Sequence, residues 1–104
     1  LFFFFFGPRE RGSKVIPGVE PHGIEKQCRS VFQNVRWVLE ESGAKWENLV
    51  DVTVYLTNMQ RDFPIYNKLW AEFFPTNPPC RTTLEINRLP TPIAIELKCV
   101  AAID

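Results

Sequence analysis

The sequence predicts an α+β fold in which two helices cover the apolar face of a single sheet. Three observations carry this expectation. Runs with period-two alternation and runs with helical spacing follow one another in the order strand, helix, strand, helix, strand, strand. Neither an internal repeat nor a dividing linker interrupts the 104 residues, so residues 1–104 form a single domain. The first helical run carries one apolar stripe and the later strands one apolar face each, so helices and sheet must bury these surfaces against one another.

The opening run Leu1 to Phe6 is six large apolar residues. It is too short for a membrane span and lacks the basic start of a signal peptide, so it reads as a strand covered on both faces. Gly7 to Gly23 is rich in Gly, Pro and charge and reads as a loop able to act as a lid, with a short extended piece at Val15-Ile16. Ile24, Cys28, Val31, Phe32, Val35, Val38 and Leu39 then recur at helical spacing, predicting a helix that ends near Ser42 with Gly43 in the left-handed conformation. Trp46 and Leu49 pack the connection. Val50, Val52, Val54 and Leu56 alternate with Asp51, Thr53 and Tyr55, which predicts a strand. Asp62 is the expected cap of a second helix over Phe63 to Phe74, with Pro64 in its first turn; Pro75 to Pro79 stop it.

Two alternating runs close the chain. Thr82, Leu84 and Ile86 alternate with Arg81, Thr83 and Glu85; Ile93, Ile95, Leu97 and Cys99 alternate with Ala94, Glu96 and Lys98. If the Leu-Pro-Thr-Pro segment between them reverses the chain, the two strands pair directly as a hairpin. Any such register that joins the apolar residues also places Arg81 and Glu96 together on the opposite, polar face.

Composition removes several kinds of function. Twelve basic and twelve acidic residues give a net charge of zero, and the cations are dispersed, so neither nucleic acid nor an anionic membrane is an expected partner. A single histidine, His22, without clustered cysteines or carboxylates, cannot build a standard zinc or iron site, so no metal is expected. Ser13, Ser30 and Ser42 lack a nucleophile elbow, and there is no phosphate loop. Cys28, Cys80 and Cys99 contain no Cys-x-x-Cys and leave one thiol over under any pairing, pointing to a reducing, cytoplasmic setting. Cys28 lies on the helix stripe, and Cys80 has no histidine to activate it. Chemistry without a cofactor remains.

Several spaced elements share a further pattern. Pro79-Cys80-Arg81-Thr82-Thr83-Leu84-Glu85-Ile86-Asn87-Arg88-Leu89-Pro90 is followed by Ile95-Glu96-Leu97. Upstream, in order, stand Asn34-Val35, Leu39-Glu40-Glu41-Ser42-Gly43-Ala44, Val50 to Leu56, Tyr66-Asn67 and Glu72-Phe73-Phe74. From about Gly7 to the end, the chain resembles the reactive-intermediate deaminase family (RidA/YjgF-like). Gly7-Pro8-Arg9-Glu10-Arg11-Gly12 and Ile16 to Glu20 are more similar to its 2-aminomuconate deaminase branch. The resemblance implies a chorismate-mutase-like domain with a mixed sheet, assembled as a homotrimer with sheets facing inward and sites between subunits. It also implies a strand ahead of Leu1, which this chain is expected to lack. Where the family has a Ser-Gly-containing segment, this chain has Phe3 to Phe6.

The resemblance further implies site roles. Arg81 would bind a substrate carboxylate through two parallel hydrogen bonds. Glu96 would hold a water against an imine or enamine carbon and exchange protons with it. Thr83 and Cys80 would line the substrate pocket or serve only as strand residues, Asn67, which matches a family position, would contact substrate or stabilise a subunit contact, and Arg9 or Arg11 would meet the second carboxylate of a dicarboxylate. Trp70 reads as packing. The expected function is hydrolytic deamination of an enamine or imine acid, 2-aminomuconate-like, releasing ammonia without a cofactor. A general 2-aminoacrylate (2-imino acid) deaminase is one alternative. A non-catalytic ligand-sensing or interaction protein is the other, which the bulk of Phe3 to Phe6 would suit by filling the pocket.

Overall fold

A computed structural model describes residues 2–7, 23–89 and 93–103; the expected lid, with Arg9 and Arg11, lies outside them. The elements are β1 (Phe2–Phe6), α1 (Gly23–Glu41), a 3-10 turn (Trp46–Asn48), β2 (Leu49–Leu56), α2 (Met59–Phe73), β3 (Cys80–Glu85) and β4 (Ile95–Ala101). Their order matches the sequence expectation. The strands form one mixed sheet in the order β1-β4-β2-β3, with β2 and β3 parallel and the other two pairings antiparallel.

The expected hairpin between the last two strands does not form, because β2 lies between them. Helix α2 returns the chain so that β3 can run parallel to β2, as a crossover permits. β4 then takes the other side of β2 and pairs antiparallel with it, Tyr55 opposite Glu96.

Helix α1 follows its stripe: Ile24, Cys28, Val31, Phe32, Val35 and Leu39 are buried. It ends where Gly43, at φ +79°, turns the backbone so that the Ala44 amide donates to the Leu39 carbonyl at 2.8 Å. The apolar stripe does not reveal Gln27. This fully buried residue accepts the Ala94 amide at 2.8 Å and ties α1 to the entry of β4.

Helix α2 begins a turn earlier than expected, and its cap is Asn58, whose Oδ1 accepts the Arg61 amide at 3.0 Å. Glu85 satisfies a second free donor of that first turn, taking the Met59 amide at 2.8 Å. Asp62 is therefore a buried residue within the helix, its two oxygens receiving Arg61 at 2.7 and 2.9 Å. Pro64 consequently falls beyond the first turn, inside the helix.

The alternation in β2 is broken once. A register shift between Leu49 and Asp51 turns Leu49 into the core and leaves Val50 42% exposed. Beyond it, Val52, Val54 and Leu56 join Ile95, Leu97, Cys99 and Ala101 in a layer buried beneath both helices. Phe32 stacks on Phe73 at 4.7 Å and Trp46 on Phe74 at 4.8 Å, joining the helices at one end. The other sheet face, including Thr53, Tyr55, Glu96, Lys98 and Val100, is only half-buried. Among the described residues no helix is long and apolar enough to cross a membrane.

Candidate active site

Register decides which side of the sheet each candidate occupies. Arg81, Thr83 and Glu85 stand opposite Val52, Val54 and Leu56, so they belong to the helix side. Glu96 and Lys98 stand opposite Tyr55 and Thr53, so they belong to the open side. Within one chain Arg81 and Glu96 thus lie on opposite faces, contrary to the shared polar face expected. The inversion has a local cause. At the sheet edge, β3 has its polar residues engaged by α2, while its apolar set turns outward and leaves Leu84 44% exposed.

Arg81 is fixed by α2. Its Nη1 donates to Asn67 Oδ1 at 2.8 Å and to the Tyr66 hydroxyl at 3.4 Å. Its guanidinium carbon lies 4.9 Å from the Trp70 ring centre and 5.6 Å from that of Tyr66. The Tyr66 oxygen also hydrogen-bonds Thr83 Oγ1 at 3.2 Å. Among the described residues no carboxylate pairs with Arg81, which leaves its Nε and Nη2 donors available to an anion.

Sequence reasoning paired Tyr66 with Asn67 only as a motif and assigned Trp70 to packing. Their four-residue separation on α2 puts both rings on one side of the helix, a spacing that could have flagged the arginine cradle. Cys80 opens β3 as an exposed free thiol. The thiols of Cys28 and Cys99 are pushed up to about 12, chiefly by burial, and are inert as nucleophiles at neutral pH.

Glu96 is half-buried on the open face, and this burial raises its carboxyl above the ordinary glutamate value. That is the direction a general base working near neutrality requires. Among the described residues, no three or more His, Cys, Asp or Glu side chains converge to hold a metal. A separate cleft of about 500 Å³, lined by Arg36, Trp46, Glu72 and Phe73 among others, contains none of the expected site residues.

Residues 14–103 match the family model described as Endoribonuclease L-PSP. The chain belongs to the endoribonuclease L-PSP family. A RutC family protein of Pyrococcus abyssi is 37% identical over 78 residues, spanning 75% of this chain and 61% of the relative. A protein of Dermatophagoides farinae named 2-iminobutanoate/2-iminopropanoate deaminase is 32% identical over 81 residues, spanning 78% and 62%. The chain thus spans about three-fifths of the length of these two curated relatives. The crystal structure of yeast Mmf1 superposes with a TM-score of 0.82 at 30% identity, covering 98% of this chain and 80% of Mmf1. The L-PSP assignment agrees with the reactive-intermediate deaminase resemblance at family level; neither relative's name specifies the 2-aminomuconate branch.

Proposed function

We propose that the protein is a cofactor-free deaminase that hydrolyses small enamine or imine acids to the oxo acid and ammonia, working as a homotrimer with sites between subunits. The observation that carries this reading is a fixed arginine with two donor nitrogens unengaged among the described residues, in a chain that also holds a glutamate with a raised carboxyl. These residues occupy opposite faces of one sheet, so a site that uses both takes Arg81 from one copy and Glu96 from another. The half-buried open face, with Tyr55, Leu84 and Val100 among its charges, has the mixed composition of such an interface.

In the proposed reaction Arg81 holds the substrate carboxylate. Glu96 takes a proton from water as its oxygen bonds to the imine carbon, giving a tetrahedral carbinolamine. Glu96 returns that proton to the nitrogen, takes the hydroxyl proton as the carbonyl forms and the C–N bond breaks, and passes it to the departing ammonia, so protonated imine and water become oxo acid and ammonium. Thr83, on the same face of β3 as Arg81, lines the carboxylate end, whereas Cys80, opposite Asp51, belongs to the open face. Short 2-imino acids are the first substrate class, in keeping with the mite relative's name. A 2-aminomuconate-like dicarboxylate, met by Arg9 or Arg11, is the second. The balanced charge gives RNA no electrostatic purchase despite the family's description. A reducing cytoplasm suits an exposed free thiol.

The opposed faces also support a second reading, in which Arg81 binds a carboxylate ligand without turnover. Ammonia release from freshly generated 2-aminoacrylate and, separately, 2-aminomuconate distinguishes the two, with sedimentation reporting assembly. Release by a trimer that is lost in Glu96→Gln supports the deaminase and selects its substrate. A folded trimer that accelerates neither reaction leaves the ligand-binding reading.

A further inference from the structure

Arginine has five N–H donors on three nitrogens, and substrate can use only those the protein leaves open. At Arg81 the Nη1 nitrogen is engaged by Asn67 and Tyr66, while the Trp70 and Tyr66 rings pack against the guanidinium. Nε and Nη2, which form one edge of the planar group, have no partner among the described residues. Tyr66 is fully buried, so its ring is held in place beneath that group. The guanidinium can only donate, so the Tyr66 oxygen accepts from Arg81, and its own O–H is free to donate to Thr83 Oγ1 at 3.2 Å.

Resting on the reading of Arg81 as carboxylate anchor, we propose that Tyr66, Asn67 and Trp70 are positioning residues that lock its guanidinium, so that the Nε–Nη2 edge alone receives substrate. The site then selects carboxylates that approach in the guanidinium plane and accept two parallel bonds. Asn67, expected from the family resemblance to contact substrate, acts through Arg81 instead. Thr83 joins the same chain through Tyr66, with its hydroxyl proton left for an acceptor on the bound molecule. Ordering the arginine before substrate arrives removes side-chain entropy that binding would otherwise lose.

The test uses the full chain with 2-aminoacrylate as substrate and compares Arg81→Lys, Asn67→Leu, Tyr66→Phe and Trp70→Phe. Removing a hydrogen bond or weakening the ring contact raises KM about five- to tenfold for Asn67→Leu and about threefold for the other two α2 variants, with kcat changing less than about twofold. In the ligand-free wild-type protein, ¹⁵N relaxation finds the Arg81 Nε as ordered as the backbone, and Asn67→Leu lowers that order. If Arg81→Lys raises KM while the three α2 variants leave it unchanged, the positioning role is wrong and the anchor reading stands. If Arg81→Lys leaves KM unchanged, the anchor reading fails and the proposal falls with it. An Arg81 Nε as mobile in the wild type as an exposed arginine overturns the lock without any variant.

Discussion

The two faces of the sheet arise from the same strands and have opposite fates. On the helix side Val52, Val54, Leu56, Ile95, Leu97, Cys99 and Ala101 are all buried. On the other side Thr53, Tyr55, Glu96, Lys98 and Val100 remain half-buried, with no helix among the described residues over them. The covered face supplies stability through apolar burial. The open face retains a glutamate whose carboxyl is raised by partial burial, a costly choice for a surface that served only to be wet. One face holds the chain together and carries Arg81 at its edge, and the other presents Glu96.

Substitutions can break or sharpen this contrast. The largest effect is expected at Glu96, where Glu96→Gln lowers kcat about 10²- to 10⁴-fold in the ammonia-release assay while the protein stays folded. A loss below about tenfold would remove Glu96 from the proton-transfer role. Leu97→Ala, on the covered face, is expected to cost about 2–5 kcal/mol in denaturant unfolding. Its counterpart Leu84→Ser, on the open side, changes monomer stability by less than about 0.5 kcal/mol but weakens self-association in sedimentation. Equal destabilisation by both would show that the faces do not differ as described.

Arg81→Lys is a smaller perturbation. It replaces a planar fork by a point charge and is expected to raise KM about tenfold with little change in kcat. The pH dependence is finer still. Burial favours the protonated Glu96 carboxyl, so its base form is lost as pH falls through a value above that of an ordinary glutamate. The acid limb of kcat/KM therefore lies correspondingly high and disappears from the residual activity of Glu96→Gln. The stability sign is the reverse of a salt-bridged acid: the folded chain binds this proton more tightly than the unfolded chain, so Glu96 favours folding at low pH and disfavours it as pH rises. Glu96→Gln should flatten that slope in pH-dependent thermal melts.

Much of the architecture was legible from periodicity. The α1 stripe is buried where its spacing puts it except at Val38, which is only partly buried, and the order of elements follows the alternating patterns. Alternation, however, says which residues share a side and not which side meets the core. In β3 an edge position and the polar partners on α2 reversed the choice, turning Leu84 to the open face and Arg81 to the helix side, where it stays exposed. Sequential proximity favoured a β3–β4 hairpin, whereas the α2 crossover had already placed β3 on one side of β2, leaving the other for β4. The shift at Val50 and the displacement of the α2 cap from Asp62 to Asn58 depend on one-residue geometry that a hydropathy pattern does not encode. At the site, the family motif drew attention to Arg81 and Glu96, but only the fold brought Tyr66 and Trp70 to the arginine.

Among the described strands β3 has one neighbour, so the arginine rides on a strand whose backbone ladder runs along one side only and whose other ties are side-chain hydrogen bonds to α2. Peeling that strand away exposes less apolar surface than opening the three-strand remainder, and local opening favours the smaller cost. Amide exchange along Cys80–Glu85 should consequently outpace exchange along Val52–Leu56. In mild denaturant, affinity for carboxylates would vanish while the helical signal persisted, making loss of recognition an early symptom of unfolding.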